Sequence, residues 1–223
     1  MVKLILAGGG NKKQSKLIDS FFLKLLERTK KRILYVPVAR MSKNDYDDCK
    51  KWFFNTFPSL KNSTKTATSL KEFTNSNIDE FDSIYIGGGN TFKLISEIKS
   101  SGFDIFLMKF ASKNKIIYGG SAGAIILGKN ILTTQDRNDF KVNNFDGLNL
   151  INNWSVWPHF QNSELNKVKK FVFQKSSNVI SIPENSGCYI DDNKLCTINN
   201  ISILKQDIKI KKLLIIKKSY YNL

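Results

Sequence analysis

One serine lies in a setting that suits a nucleophile. The segment Gly119-Gly120-Ser121-Ala122-Gly123 follows the apolar residues Ile116–Tyr118 and precedes the apolar residues Ala124–Leu127. A Gly-x-Ser-x-Gly pattern between a strand and a helix predicts a sharp turn that exposes the serine hydroxyl, with amides of the following helix aimed at a developing oxyanion. The alternative is a glycine-rich strand-to-helix turn that holds a phosphate.

A serine nucleophile needs a general base, and the chain contains a single histidine, His159. His159 follows the β-like segment Trp154–Val156, in Trp157-Pro158-His159-Phe160. Catalytic side chains of open α/β sheets gather at strand ends. We therefore predict that His159 serves Ser121.

Several carboxylates could orient the histidine. Asp136, Asp139 and Asp146 lie between Ser121 and His159, in the order serine, acid, histidine that α/β-hydrolases use. Glu184, in Ile182-Pro183-Glu184, follows another predicted strand. The residues alone leave this choice open.

Alternating strands and helices surround these residues. Short apolar runs that end in glycine or proline alternate with helical periodicity, which predicts a largely parallel sheet covered on both faces. Gly8-Gly9-Gly10 is read as another loop at the same sheet edge. The last third is predicted to add antiparallel strands at one edge: 178–182, 188–190, 194–198 and 201–216.

The length and composition argue against several classes of protein: multidomain, nucleic-acid-binding, membrane-associated and metal-dependent proteins. The 223 residues show no linker or repeat, which predicts one domain over residues 1–223. The net charge of +16 is spread along the chain without a nucleic-acid motif, so we expect neither nucleic acid nor a membrane as partner. A single histidine excludes a zinc site built on several histidines, and we expect no metal or cofactor.

Cellular location is predicted from apolar segments and cysteines. No apolar run is long enough for a signal peptide or a membrane span, so a soluble, cytoplasmic protein is expected. A hairpin with Asp192-Asn193 at its tip would set Cys196 opposite Tyr189 rather than Cys188. The two thiols would then lie on opposite faces, which disfavours a disulfide.

Four motifs in order resemble the peptidase E family, whose relatives are the cyanophycinase-like hydrolases. They are Tyr85-Ile86-Gly87-Gly88-Gly89-Asn90-Thr91-Phe92, the Ser121 motif, Pro158-His159-Phe160 and Ile182-Pro183-Glu184. The resemblance implies a three-layer α/β/α sandwich with a mostly parallel sheet, of the class I glutamine-amidotransferase-like kind. It also implies a triad of Ser121, His159 and Glu184, with Asp136 as the alternative acid.

The resemblance also assigns the surroundings of the serine. It implies that Gly89 and Ala122 form the oxyanion hole, while Gly88, Asn90 and Thr91 line the substrate site. The implied substrates are short peptides, above all dipeptides with an N-terminal aspartate, cleaved by a monomer or homodimer. No arginine follows Arg137, so an aspartate side chain would depend on one of the lysines after the His159 motif: Lys167, Lys169 and Lys170.

A second interpretation retains the fold without the chemistry. The same glycine loops could make a non-catalytic, glutamine-amidotransferase-like binding module for a small phosphate-bearing ligand. Hydrolysis that depends on Ser121 separates the two interpretations.

Overall fold

The structure is a computed structural model that describes residues 2–207, 212–216 and 220–222. The strands in these ranges are β1 Lys3–Ala7, β2 Ile33–Val36, β3 Thr64–Thr66, β4 Ser83–Ile86, β5 Ile116–Gly120, β6 Trp154–Pro158, β7 Asn178–Ile182, β8 Gly187–Asp191, β9 Lys194–Ile198, β10 Ser202–Asp207, β11 Lys212–Ile216 and β12 Tyr220–Asn222. The helices are α1 Lys12–Leu25, α2 Lys43–Thr56, α3 Thr91–Ser101, α4 Phe103–Ser112, α5 Ala122–Leu127 and α6 Leu165–Lys175.

Short 3-10 helices connect several of these elements. They span Pro58–Ser63, Leu70–Phe73, Ile78–Glu80, Ile131–Thr133 and Asn162–Glu164. Within the described ranges, no helix combines the length and the apolar character that crossing a membrane requires.

The main sheet has eight strands in the order β12-β9-β8-β1-β5-β4-β2-β3. The strands from β1 to β3 in this order run parallel to one another, while β8, β9 and β12 are antiparallel additions beyond β1. The predicted fold class, an α/β protein with a mostly parallel sheet and antiparallel strands at one edge, is confirmed. The predicted hairpin is also present, with Tyr189 opposite Cys196.

A second sheet has four strands in the order β11-β10-β7-β6, and it corrects part of the prediction. The segments 178–182 and 201–216 were expected at the edge of the main sheet, but β7 pairs parallel with β6 and antiparallel with β10. A parallel pair needs a long crossover connection, and α6 supplies it between β6 and β7. The helical segment after His159 therefore determines where β7 lies.

Alternate residues of the strands pack on opposite faces of the main sheet. Leu4 and Leu6 join the core beneath α3, α4 and α5, to which the second sheet also contributes. Ile5 and Ala7 face α1 and α2, where the core is rich in aromatic rings. In the second sheet, Val179 faces α6 instead. The sheets are thus covered on both faces, which explains their apolar sequences.

Candidate active site

Ser121 lies between β5 and α5 in a strained backbone conformation, with φ 51° and ψ −112°. Positive φ is uncommon outside glycine and marks sites where the fold enforces strain. The flanking glycines allow this turn because neighbouring backbone is very close. A Cβ at Gly119 would lie 2.7 Å from the carbonyl of Gly123, and one at Gly123 would lie 2.4 Å from the carbonyl oxygen of Ile86. The glycine pattern is therefore a steric requirement of the turn.

His159 approaches Ser121 from the end of β6. Its Nε2 lies 2.7 Å from the Oγ of Ser121. The backbone of His159 has φ 53°, and its amide donates a 3.0 Å hydrogen bond to the carbonyl of Gly8. This hydrogen bond joins His159, at the end of β6, to the loop that follows β1. The ends of β6 and β1 together therefore position the imidazole beside Ser121.

Glu184 completes the line of side chains from the loop after β7. Its Oε1 lies 3.0 Å from the Nδ1 of His159, and its Oε2 accepts a 2.8 Å hydrogen bond from the Nε2 of Gln14. These contacts, first that with His159 and then that with Gln14, lower the pKa of the Glu184 carboxyl below its ordinary value. The structure thus brings together Ser121, His159 and Glu184, although 63 residues of sequence separate the first from the last.

Asp136, the alternative acid, has different partners. Its Oδ2 accepts hydrogen bonds of 2.7 Å from the amide of Thr91 and from the hydroxyl of Thr134. In the described part of the chain it makes no hydrogen bond with His159. Its carboxylate instead stabilises the N-terminus of α3, where a negative charge is favourable.

The loop between β4 and α3 lies beside the serine. A Cβ at Gly88 would stand 3.1 Å from the Cβ of Ser121. Gly89 has φ 146°, and a Cβ there would lie 2.4 Å from the carbonyl oxygen of Ala39. Among the described residues, the amides of Gly89 and Ala122 have no hydrogen-bond acceptor. An oxyanion hole requires backbone amides that the protein itself leaves without an acceptor.

The side chains of Asn90 and Thr91, predicted to line the substrate site, are engaged with the protein. Asn90 caps α3 by accepting a 2.9 Å hydrogen bond from the amide of Lys93, and it donates to the carbonyl of Arg137 at 3.1 Å. The hydroxyl of Thr91 lies 3.0 Å from that of Thr134. Both residues hold the loop in place, and their contact with substrate stays a prediction.

Two residues of the site were not singled out from the sequence. The sequence places Gly9 only in a loop at this edge, whereas in the structure a Cβ at Gly9 would lie 2.3 Å from the Cε1 of His159. Gln14 was missed entirely. Its signal was the capping box that begins at Asn11, in which the Gln14 side chain accepts from the Asn11 amide at 2.9 Å.

Two cavities open on Ser121 and His159. The first, of about 520 Å³, has an aromatic floor formed by Tyr35, Trp52 and Tyr85. The second, of about 510 Å³, is more polar, and its lining residues include Asp136 and Lys167. Their volumes lie within the range of small-molecule binding sites. Residues 2–207, 212–216 and 220–222 contain no cluster of three or more His, Cys, Asp or Glu side chains suited to a metal ion.

Curated relatives extend over much of the chain. An uncharacterized peptidase from Listeria monocytogenes is 32% identical over 136 residues, which are 58% of this chain and 65% of the relative. A relative from Listeria innocua is 31% identical, with 58% of its length covered. The chain thus spans less than two thirds of the length of these relatives. Peptidase E from Haemophilus influenzae is 25% identical over 178 residues, which are 75% of this chain and 74% of that enzyme.

Solved structures and a family profile agree with these relatives. A Listeria monocytogenes protein assigned to peptidase E has a TM-score of 0.67 and 25% identity, over 89% of this chain and 98% of that one. A peptidase from an acI-B1 actinobacterium has the same fold, with a TM-score of 0.73 at 19% identity, over 100% of this chain and 97% of that one. The profile of peptidase family S51 matches residues 4–198. The resemblance to peptidase E is confirmed, and the chain belongs to peptidase family S51.

Proposed function

We propose that the protein is a serine peptidase in which Ser121 attacks the carbonyl carbon of a peptide bond. One observation carries the proposal. The Oγ of Ser121, the imidazole of His159 and the carboxylate of Glu184 form a continuous line with contacts of 2.7 and 3.0 Å. Family membership supports the same chemistry.

The proposed reaction follows from the atoms in this line. The Nε2 of His159 takes the proton of the Ser121 hydroxyl as the C–O bond forms, and Glu184 stabilises the resulting imidazolium. The amides of Gly89 and Ala122 hold the oxyanion. His159 then gives its proton to the departing amine as the C–N bond breaks, and a water molecule hydrolyses the acyl-enzyme by the same route in reverse.

We further propose that the substrates are dipeptides with an N-terminal aspartate. Of the three lysines considered, Lys167 lines the second cavity, where its ammonium can attract the aspartate carboxylate. Asp136 lines the same cavity, and its Oδ1 makes no hydrogen bond within the described residues. This oxygen can receive the α-ammonium of a free N-terminus. Glu164 also lines this cavity, but its oxygens accept from the side chain of Gln135 and the amide of Gln161. Lys167 and the free oxygen of Asp136 thus offer one positive and one negative partner, which match the two charges of an N-terminal aspartate.

The proposed compartment is the cytoplasm. The cysteines at positions 49, 188 and 196 are free thiols, which suits reducing conditions.

The experiment compares hydrolysis of Asp-Leu, Ala-Leu and Leu-Leu by the wild-type protein and by the Ser121→Ala variant. We expect kcat/KM to be highest for Asp-Leu and to fall by several powers of ten, about 10³-fold or more, in the variant. If Asp-Leu is no better than the other two dipeptides, the aspartate specificity is wrong while the peptidase proposal survives. Hydrolysis that is unchanged in Ser121→Ala would overturn the peptidase mechanism and favour the binding-module interpretation.

A further inference from the structure

Arg40 is a cation of the first cavity that the proposed mechanism does not use. After β2 the chain turns, with the Arg40 amide donating to the carbonyl of Pro37 at 3.2 Å. The Arg40 side chain lines the same cavity as Ser121 and His159. Within the described ranges its guanidinium makes no salt bridge or hydrogen bond, whereas that of Arg32 pairs with Asp82 at 2.9 Å. Arg40 therefore has unpaired donors available to a ligand in the cavity.

Two carboxylates, Asp45 and Asp48, line the same cavity as Arg40, and each has another partner. Asp45 caps α2, and its Oδ2 accepts a 2.9 Å hydrogen bond from the amide of Ser42. Hydrogen bonds from Ser42 are the main cause of the lowered pKa of Asp45, and the charge of Arg40 adds a smaller attraction. Asp48 pairs with Lys51 at 3.1 Å. Neither aspartate forms a hydrogen-bonded pair with the guanidinium.

Aromatic residues, which we call the floor, line the same cavity as Arg40: Tyr35, Trp52 and Tyr85. Tyr35 and Tyr85 are almost fully buried, and their ring centroids lie 5.7 Å apart in an edge-to-face arrangement. The half-buried ring of Trp52 lies 6.4 Å from that of Tyr85. A Cβ at Gly87 would lie 3.6 Å from the hydroxyl of Tyr35, so the absence of a side chain there leaves room above the floor. Such a surface suits a flat apolar side chain.

We propose that this cavity binds the amino acid that hydrolysis releases, and that this amino acid is aromatic, with its free carboxylate on Arg40. The guanidinium fork matches a carboxylate in two parallel hydrogen bonds, and the aromatic floor receives the side chain. This inference rests on the proposed function, because the cavity is assigned to the product of that reaction. It adds a substrate class, dipeptides whose second residue is Phe, Tyr or Trp.

Binding of the free amino acid tests the inference without any turnover. We would titrate L-phenylalanine, L-alanine and L-phenylalaninamide into the wild-type protein and into the Arg40→Ala variant by calorimetry. Arg28→Ala is the matched control, since Arg28 is an exposed arginine outside this cavity. Thermal melting of each variant checks that the fold is retained.

We expect L-phenylalanine to bind more tightly than L-alanine and than the amide, and to lose about 10- to 100-fold in affinity in Arg40→Ala, as for a hydrogen-bonded charge pair. Arg28→Ala should bind as the wild type does. No binding of L-phenylalanine, or equal binding in Arg40→Ala, overturns the inference.

Kinetics then separates this inference from the proposed function. Asp-Phe should have a higher kcat/KM than Asp-Ala and than Asp-Phe amide, and Arg40→Ala should remove the advantage over the amide. Hydrolysis that needs Ser121 but is indifferent to Arg40 and to the amide cap refutes the inference alone. Arg40-dependent binding of L-phenylalanine without hydrolysis of any dipeptide refutes the peptidase and leaves the binding site.

Discussion

Replacing Glu184 by glutamine removes the charge that faces the imidazole of His159. At 3.0 Å, two unit charges attract by about 1.4 kcal/mol in bulk water and by about 5.5 kcal/mol at an effective dielectric constant of about 20. The side chains of His159 and Glu184 are 43% and 45% exposed, so solvent screens the pair and an intermediate value of about 2–4 kcal/mol is appropriate. Since the imidazolium exists in the transition state, we expect kcat to fall about 30- to 900-fold.

The contacts of Glu184 make the glutamine variant a demanding test. The carboxylate accepts from Gln14 at one oxygen and contacts His159 at the other. An amide can offer its oxygen to only one of them, and its NH₂ group then faces the donor of the other. The variant should therefore lose orientation of the imidazole as well as charge, with little change in stability because the site is half exposed.

The assay measures kcat and KM separately for Asp-Leu, with Asp136→Asn as the comparison. Asp136 contacts the α3 N-terminus and lines the second cavity. We therefore expect Asp136→Asn to raise KM and to lower the melting temperature, while kcat falls less than it does in Glu184→Gln. A kcat for Glu184→Gln within about threefold of wild type would refute the reasoning, since the charge at 3.0 Å would then contribute less than 1 kcal/mol. A larger loss of kcat in Asp136→Asn would transfer the role to Asp136.

Three further predictions concern groups around the triad. Gly9→Ala adds a Cβ that would lie 2.3 Å from the Cε1 of His159, so displacement of the ring should lower kcat by about 100-fold while circular dichroism stays unchanged. Gln14→Ala removes a hydrogen bond to Glu184, so the pKa of that carboxyl should rise toward 4.5, as followed by carboxyl-carbon NMR; an unchanged titration contradicts this. Burial raises the pKa of Asp19 from 3.8 to about 6. Because the Asp19 carboxyl ionises more readily in the unfolded chain than in the native protein, the free energy of unfolding of the wild type should fall as the pH rises from about 4 to 6. In urea unfolding, the free energy of unfolding of Asp19→Asn should fall by about 2 kcal/mol less than that of the wild type between pH 4 and 7. An identical pH dependence of stability in both proteins would contradict this.

Short sequence patterns predicted the features that depend only on residues close together in the chain, namely the turn at Ser121 and the hairpin between β8 and β9. The glycines around Ser121 are dictated by backbone atoms within a few ångströms, so the motif alone indicated the turn. The hairpin that sets Tyr189 opposite Cys196 follows in the same way from a two-residue tip.

Contacts between residues far apart in the sequence could not be predicted from local sequence patterns. Gln14 and Glu184 are 170 residues apart, and nothing in either segment indicates that they meet. The second sheet was missed for a related reason. A strand's own sequence does not specify its partner, and the crossover through α6 pairs β7 with β6. The first cavity likewise forms only when the loop after β2 and helix α2 come together beside Ser121.

The central claim, that Ser121 is the nucleophile, is tested most directly by covalent labelling with a serine-directed fluorophosphonate, read by intact mass and peptide mapping. We expect one adduct per chain, on Ser121, in the wild-type protein, none in Ser121→Ala and much slower labelling in His159→Ala. An adduct that maps to another residue, or labelling of Ser121→Ala at the wild-type rate, would contradict the account.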